Sequence, residues 1–321
     1  MIQPSLKDDA FLADVAAARG EFSPTRLFVW WLGQSGFLVA HAGEFLLFDP
    51  YLSDSLTKKY AATDKPHVRM TARVVDPARL GFVSVVTSSH NHTDHFDAET
   101  LLPLFAAAPG AKLVLPAVNV RFAQQRLSSI PQGDAGGVKK PIDWGRDAPV
   151  AVDGRNATGA SRPQEIPRPG ASAPDRLVPL GVGERATVGV FTFEAVPAAH
   201  EELAPDFAGF VVSVGPFRIY HSGDTVLFPG IVERLRPFAI DLALLPVNGR
   251  APERRVSGNL DGAEAAQLAH DIGARCVVPC HYEMFTFNTA SPELFRATCA
   301  RFGQRCAVLR AGERLVLDAS R

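Results

Sequence analysis

The chain reads as an α/β (α+β) protein in which two mixed β-sheets pack face to face with helices outside, an αββα sandwich. Three observations predict it. Each half of the sequence carries closely spaced apolar strands followed by helical segments. Four apolar runs, one in the first half and three in the second, lead directly into histidine or aspartate. The length, 321 residues with 46% hydrophobic and 21% charged, suits one large layered unit of globular composition. A single domain over residues 1–321 is therefore expected.

In chain order, the first twenty residues form a short amphipathic helix. Ser5 and Asp8 make a capping-box pattern, and Phe11, Leu12 and Val15 an apolar stripe. Lys7, Asp8, Asp9 and Asp14 interrupt any signal-peptide core, and eighteen apolar residues never run together. No membrane span and a cytoplasmic location are expected. Leu27–Leu32, Gly36–Ala40 and Glu44–Phe48 are strands of an antiparallel meander, with His41 a solvated residue at its hairpin. Asp49-Pro50 ends the third strand. Tyr51 to Pro77 is irregular and polar, readable either as a lid near a site or as a surface loop.

The run Phe82-Val83-Ser84-Val85-Val86-Thr87 reads as a buried strand, and Ser89-His90-Asn91-His92-Thr93-Asp94-His95-Phe96-Asp97 follows it. Extended backbone points residues i and i+2 to one side, so His90 and His92 can converge on one metal ion. Asp94 and His95, on the turning loop, can face a second. Such a loop cannot close a metal site alone. His200, Asp224 and His281, each at the end of an apolar run, are the remaining candidates, and a rigid sheet suits ligands placed at strand ends.

After the histidine loop, Asp97 opens a helix through Ala107 with Gly110 as its stop, Leu113–Leu115 is a strand and Val118–Leu127 a helix. Residues 131–179, rich in Pro and Gly and without periodicity, read as an insertion running outside the domain. Ala186–Val196, Phe207–Val214 and Phe217–His221 form a second meander, followed by helix Phe228–Leu235 and strand Asp241–Leu245. Asp261 and Glu264 form a capping box for the next helix. Cys276–Cys280 is the last strand, and Ser291-Pro292-Glu293 opens the final helix. Strand rise puts Cys276 and Cys280 roughly 13 Å apart, too far for a disulfide, which fits reduced thiols. A net charge of −1 excludes a broad basic surface for nucleic acid.

The pattern H-x-H-x-D-H, then a lone His, a Gly-Asp and a final His, resembles the metallo-β-lactamase superfamily. Trp31-Leu32-Gly33-Gln34-Ser35-Gly36-Phe37, Asp49-Pro50-Tyr51-Leu52, Pro197-Ala198-Ala199-His200, Tyr220-His221-Ser222-Gly223-Asp224-Thr225, Pro246-Val247-Asn248-Gly249-Arg250 and His281-Tyr282-Glu283-Met284-Phe285 resemble its L-ascorbate-6-phosphate lactonase branch. The resemblance spans Arg26 to Phe295 apart from the insertion. It implies one metal on His90, His92 and His200, a second on Asp94, His95 and His281, and Asp224 bridging them. Asp49 would brace the metal loop, with His221 also behind the ligands. The implied cofactors are two divalent ions, Mn2+ first with Zn2+ or Fe2+ as alternatives.

The implied activity is hydrolysis by a metal-activated hydroxide, opening a lactone or related ester, phosphorylated sugar lactones included. Asp94 would orient the nucleophile or serve as ligand alone. Arg250, Asn248 and Tyr282 are the candidate substrate contacts, while Met284 and Phe285 pack. A phosphodiesterase is the alternative hydrolase. Diiron oxidoreductases of this superfamily place a carboxylate where this chain has His92, which argues against that class. Expected partners are a small-molecule substrate and further copies of the chain. His67 and His270 are read as loop and helix-end residues, not ligands.

Overall fold

The strand signals of the first half build a seven-stranded sheet in the computed structural model, which describes residues 1–128 and 176–319. β1 (Arg26–Gly33), β2 (Gly36–His41) and β3 (Glu44–Phe48) form the antiparallel meander. β4 (Val85–Thr87), β5 (Lys112–Pro116) and β6 (Leu177–Leu180) continue the sheet in parallel from β3. Parallel strands need crossovers. The helices that follow β4 and β5 in the sequence are α3 (Ala98–Ala107) and α4 (Val120–Ser128), which pack on each other.

The second sheet has six strands. β7 (Arg185–Val188), β8 (Phe191–Ala199), β9 (Leu203–Val214) and β10 (Phe217–His221) run antiparallel. β11 (Leu242–Pro246) and β12 (Cys276–Cys280) extend it in parallel. Every residue of β11 and β12 is buried, as expected where a parallel sheet is covered on both faces. α6 (Gly262–Asp271) covers both strands and packs on α7 (Glu293–Phe302). One apolar cluster containing Trp30, Phe37, Phe48, Phe193, Phe210 and Val278 joins the two sheets. α1 (Asp8–Ala18), α2 (Ser55–Tyr60) and α5 (Ile231–Leu235) complete the helices named here. Among the described residues, no helix is long and apolar enough to cross a membrane.

Several local expectations are corrected. α1 begins at Asp8 behind Lys7 with no side-chain cap, so the Ser5/Asp8 box does not form, although Phe11 and Val15 are buried as the stripe requires. Residues 177–179, assigned to the insertion, belong to β6, whose Val178 and Pro179 register with Val114 and Leu115. Residues 131–175 of that insertion lie outside the described residues. A strand not anticipated from the sequence, β13 (Arg314–Asp318), pairs antiparallel with β1 at the sheet edge. His41 is not solvated. It is buried, its Nδ1 lies 3.0 Å from the Arg26 carbonyl oxygen, and its ring meets Phe217 edge-on. Gly215 in the β9–β10 turn permits this, because a Cβ there would lie 2.4 Å from His41 Nε2. The capping box of α6 forms as expected: Asp261 accepts from Glu264 N, and Glu264 accepts from Asp261 N.

Candidate metal centre

Four strand ends meet at one edge between the sheets. The loop after β4 carries His90, His92, Asp94 and His95; His200 follows β8, Asp224 follows β10 and His281 follows β12. The structure brings these seven side chains into two groups. His90, His92 and His200 form one; Asp94, His95, Asp224 and His281 form the other, with the donor atoms inside each group no more than 4.8 Å apart. Asp224 reaches both. Its Oδ1 lies 3.2 Å from His95 Nε2 and 2.9 Å from His281 Nε2, and its Oδ2 lies 3.6 Å from His200 Nε2. The loop and the Gly223 backbone touch closely, since a Cβ at Gly223, with φ of +58°, would sit 2.5 Å from Ser89 Cβ.

The donor chemistry suits cations. His90 Nε2, His95 Nε2, His281 Nε2 and Asp224 Oδ1 are buried and make no well-directed hydrogen bond, although the His95 and His281 nitrogens lie within ion-pair distance of Asp224 Oδ1. Leaving four polar atoms so costs several kcal/mol, unless a cation shared among them compensates. Burial, with the neighbouring imidazoles of His95 and His92, holds His90 well below the ordinary histidine range. Burial also lowers His200. Both rings are therefore neutral at neutral pH with lone pairs to offer. In the second group, burial would lower His95, but Asp224 and Asp94 outweigh it and raise that ring well above its ordinary value. Conversely, burial would raise Asp224, and His281 and His95 overcome it to hold the carboxyl well below its usual range.

Behind the donors stands Asp49. It is fully buried, accepts from Thr87 Oγ1 at 2.6 Å and from Ser89 N at 3.1 Å, and its Oδ2 lies 2.8 Å from His95 Nδ1. Burial alone would raise its carboxyl, yet His221 and His95 bring it down to about 2. His221 is buried too, stacked on Phe48 at 4.8 Å, with Nε2 3.0 Å from the Ser35 carbonyl oxygen. Asp49 thus touches the donor His95 directly, whereas His221 bonds to Ser35 and Gly223.

The three expected substrate contacts are each bonded to neighbouring scaffold groups. The Arg250 guanidinium pairs with Glu264 of α6 and donates to the Asn259 carbonyl at 3.2 Å. Tyr282 is buried, its ring stacked on Trp31 at 4.3 Å and its hydroxyl donating to the Leu309 carbonyl. Asn248 is buried in an amide network, donating to Asn288 Oδ1 and accepting from Asn259 Nδ2, both at 3.1 Å. Each of the three side chains thus bonds to the scaffold. Sequence reading instead missed Phe207, whose ring lies 5.0 Å from His90, 5.9 Å from His92 and 5.5 Å from His200. Its signal was an aromatic residue on the strand after His200, where β9 turns back along the site.

The two-sheet architecture is the metallo-β-lactamase fold, and the paired donor groups sit at one edge of it. The family described as Beta-lactamase superfamily domain matches residues 146–282, which include His200, Asp224 and His281. More particularly, the sequence is similar to UPF0173 metal-dependent hydrolases. That of Opitutus terrae is 29% identical over 286 residues, covering 88% of this chain and 96% of the relative. Among solved structures, Igni18, a metallo hydrolase from Ignicoccus hospitalis, superposes with a TM-score of 0.59 at 18% identity, covering 92% of this chain and all of that one. CmlA, a diiron β-hydroxylase from Streptomyces venezuelae, gives the same TM-score at 13% identity over 92% of this chain and 55% of its own. At these identities the structures share the fold.

Proposed function

We propose that the chain is a metal-dependent hydrolase whose pocket holds two divalent ions, one on His90, His92 and His200, the other on Asp94, His95 and His281, with Asp224 between them. The carrying observation is the set of four buried donor atoms, facing one space, that make no well-directed hydrogen bond. Bound there, such a pair supplies hydroxide near neutral pH and polarises the oxygen of the bond under attack. Mn2+ is the proposed ion, with Zn2+ or Fe2+ as alternatives, because imidazole and carboxylate donors without thiolate tilt toward harder metals.

The residues divide the remaining work. Asp49 fixes the orientation of His95 through its Nδ1. Asp94 is the partly exposed carboxylate of its group, with 18% of its side chain accessible, and is placed to orient the nucleophile and receive its proton. Phe207 forms an apolar wall beside the three-histidine group. That wall, with Arg250 engaged by Glu264, favours a lactone or related ester over a substrate gripped by its anionic group. The phosphorylated lactone and the phosphodiester are the less favoured substrates on the same ground. Screening the Mn2+-loaded protein against panels of lactones, esters and phosphodiesters tests this. Chelator-sensitive turnover of lactones or esters is expected. Turnover of phosphodiesters alone would replace the reading with a phosphodiesterase, and turnover of neither panel would remove it.

A further inference from the structure

The turn between β1 and β2 carries a side chain that touches both halves of the four-donor group. Gln34 Nε2 lies 2.8 Å from Asp94 Oδ2 and 3.0 Å from His281 Nδ1, joining residues 60 and 247 positions away. Its backbone carbonyl accepts from His281 N and from Trp31 Nε1, both at 3.1 Å. The residue is 3% exposed. Both ends of this contact are strained: Gln34 has φ of +49° and His281 φ of +62°, a region side chains other than glycine's occupy rarely. Such conformations persist where surrounding contacts enforce them and gather at functional sites.

We propose that Gln34 is a positioning residue for the four-donor group, orienting Asp94 from one sheet and His281 from the other, and so setting the affinity of one of the two ions. This rests on the reading that both groups hold metal. The residue suits the task because its amide NH2 donates to the Asp94 carboxylate while its backbone carbonyl accepts from His281 N. Asp94, as a carboxylate, accepts. The three-histidine group is braced by other atoms: Ser89 Oγ lies 3.1 Å from His90 Nδ1, and the Gly258 carbonyl oxygen 3.0 Å from His200 Nδ1. Loss of Gln34 therefore acts on one binding step and spares the other.

The test titrates metal-free full-length chain with Co2+, following heat of binding and the visible absorption of the bound ion. Wild type is compared with Gln34→Met, which keeps bulk without donor or acceptor, and Gln34→Ala, which asks the core to accept nothing new. Wild type is expected to bind two ions. In the variants one step should weaken about 10- to 100-fold, the range for groups that orient metal ligands. The other step should keep its affinity and its spectrum. If Met does not fold, Ala decides. Two steps unchanged, or both weakened alike, would overturn the role of Gln34 while leaving the metal centre standing. Fewer than two ions on wild type would overturn the metal-centre reading and this inference with it.

Discussion

The two donor groups of the pocket are built differently although they share an edge and a carboxylate. In the three-histidine group burial lowers His90 and His200, and the atoms behind them are a serine hydroxyl and a backbone carbonyl. Part of it faces outward, with His92 only half-buried and Phe207 against all three rings. The four-donor group is charged, with two carboxylates set against raised His95, and a third carboxylate, Asp49, locks that ring from behind. The difference is physical. Neutral imidazoles need only a modest acceptor to fix their tautomer, whereas buried carboxylates are tolerable only when charge is balanced around them. Depth and bracing follow from charge.

Asp224 is where the comparison breaks most easily, because its two oxygens serve both groups. Asp224→Ala should lower metal content at both positions and reduce hydrolysis by roughly 1000-fold or more, several kcal/mol of transition-state stabilisation. Elemental analysis alongside kinetics checks it; loss of one ion alone would show that the groups are independent.

Asp49→Asn should separate the groups and is the next largest effect. Removing a charge from a buried pair should destabilise the chain by about 3 kcal/mol. Its folded carboxyl, at about 2, lies below the ordinary 3.8. The stabilisation is therefore present above about pH 4 and lost as pH falls toward 2, amounting to about 2 kcal/mol. Denaturant melts of the metal-free protein between pH 5 and 2 should show that decline in wild type and a flatter one in the Asn variant. Parallel curves would mean that Asp49 carries no charge-dependent stability.

Arg250→Ala should do least. Its ion pair with Glu264 is exposed on the arginine side, 47% of that side chain being accessible, and such pairs contribute about 0–1 kcal/mol. Steady-state rates on neutral and anionic substrates should stay within about two-fold of wild type, a change below about 0.5 kcal/mol. A selective loss on anionic substrates would restore Arg250 as an anion clamp.

Much of this was legible in the sequence because local rules and global placement agree at the strand ends. The run Val85-Val86-Thr87 is short but buried, and the dense histidine loop behind it has no ordinary packing role. The box Asp261/Glu264 could be read directly, since capping is a contact within four residues. What escaped reading depends on distant partners. His41 sits at a hairpin, where exposure is the rule, and only the Gly215 turn closing over it makes it buried. Arg314–Asp318 is short and lies on a sheet edge, so its pairing with β1 left little pattern to find. The partners of Arg250 and Tyr282, Glu264 and the Leu309 carbonyl, likewise come from elements distant in sequence.

The central claim is that two differently built groups hold two ions, and counting metal tests it most directly. The full chain, purified without chelator and then dialysed against Mn2+ or Zn2+, should carry close to two transition-metal ions per polypeptide by elemental analysis. A trace amount that neither metal raises, or a plateau at one ion per chain, would contradict it.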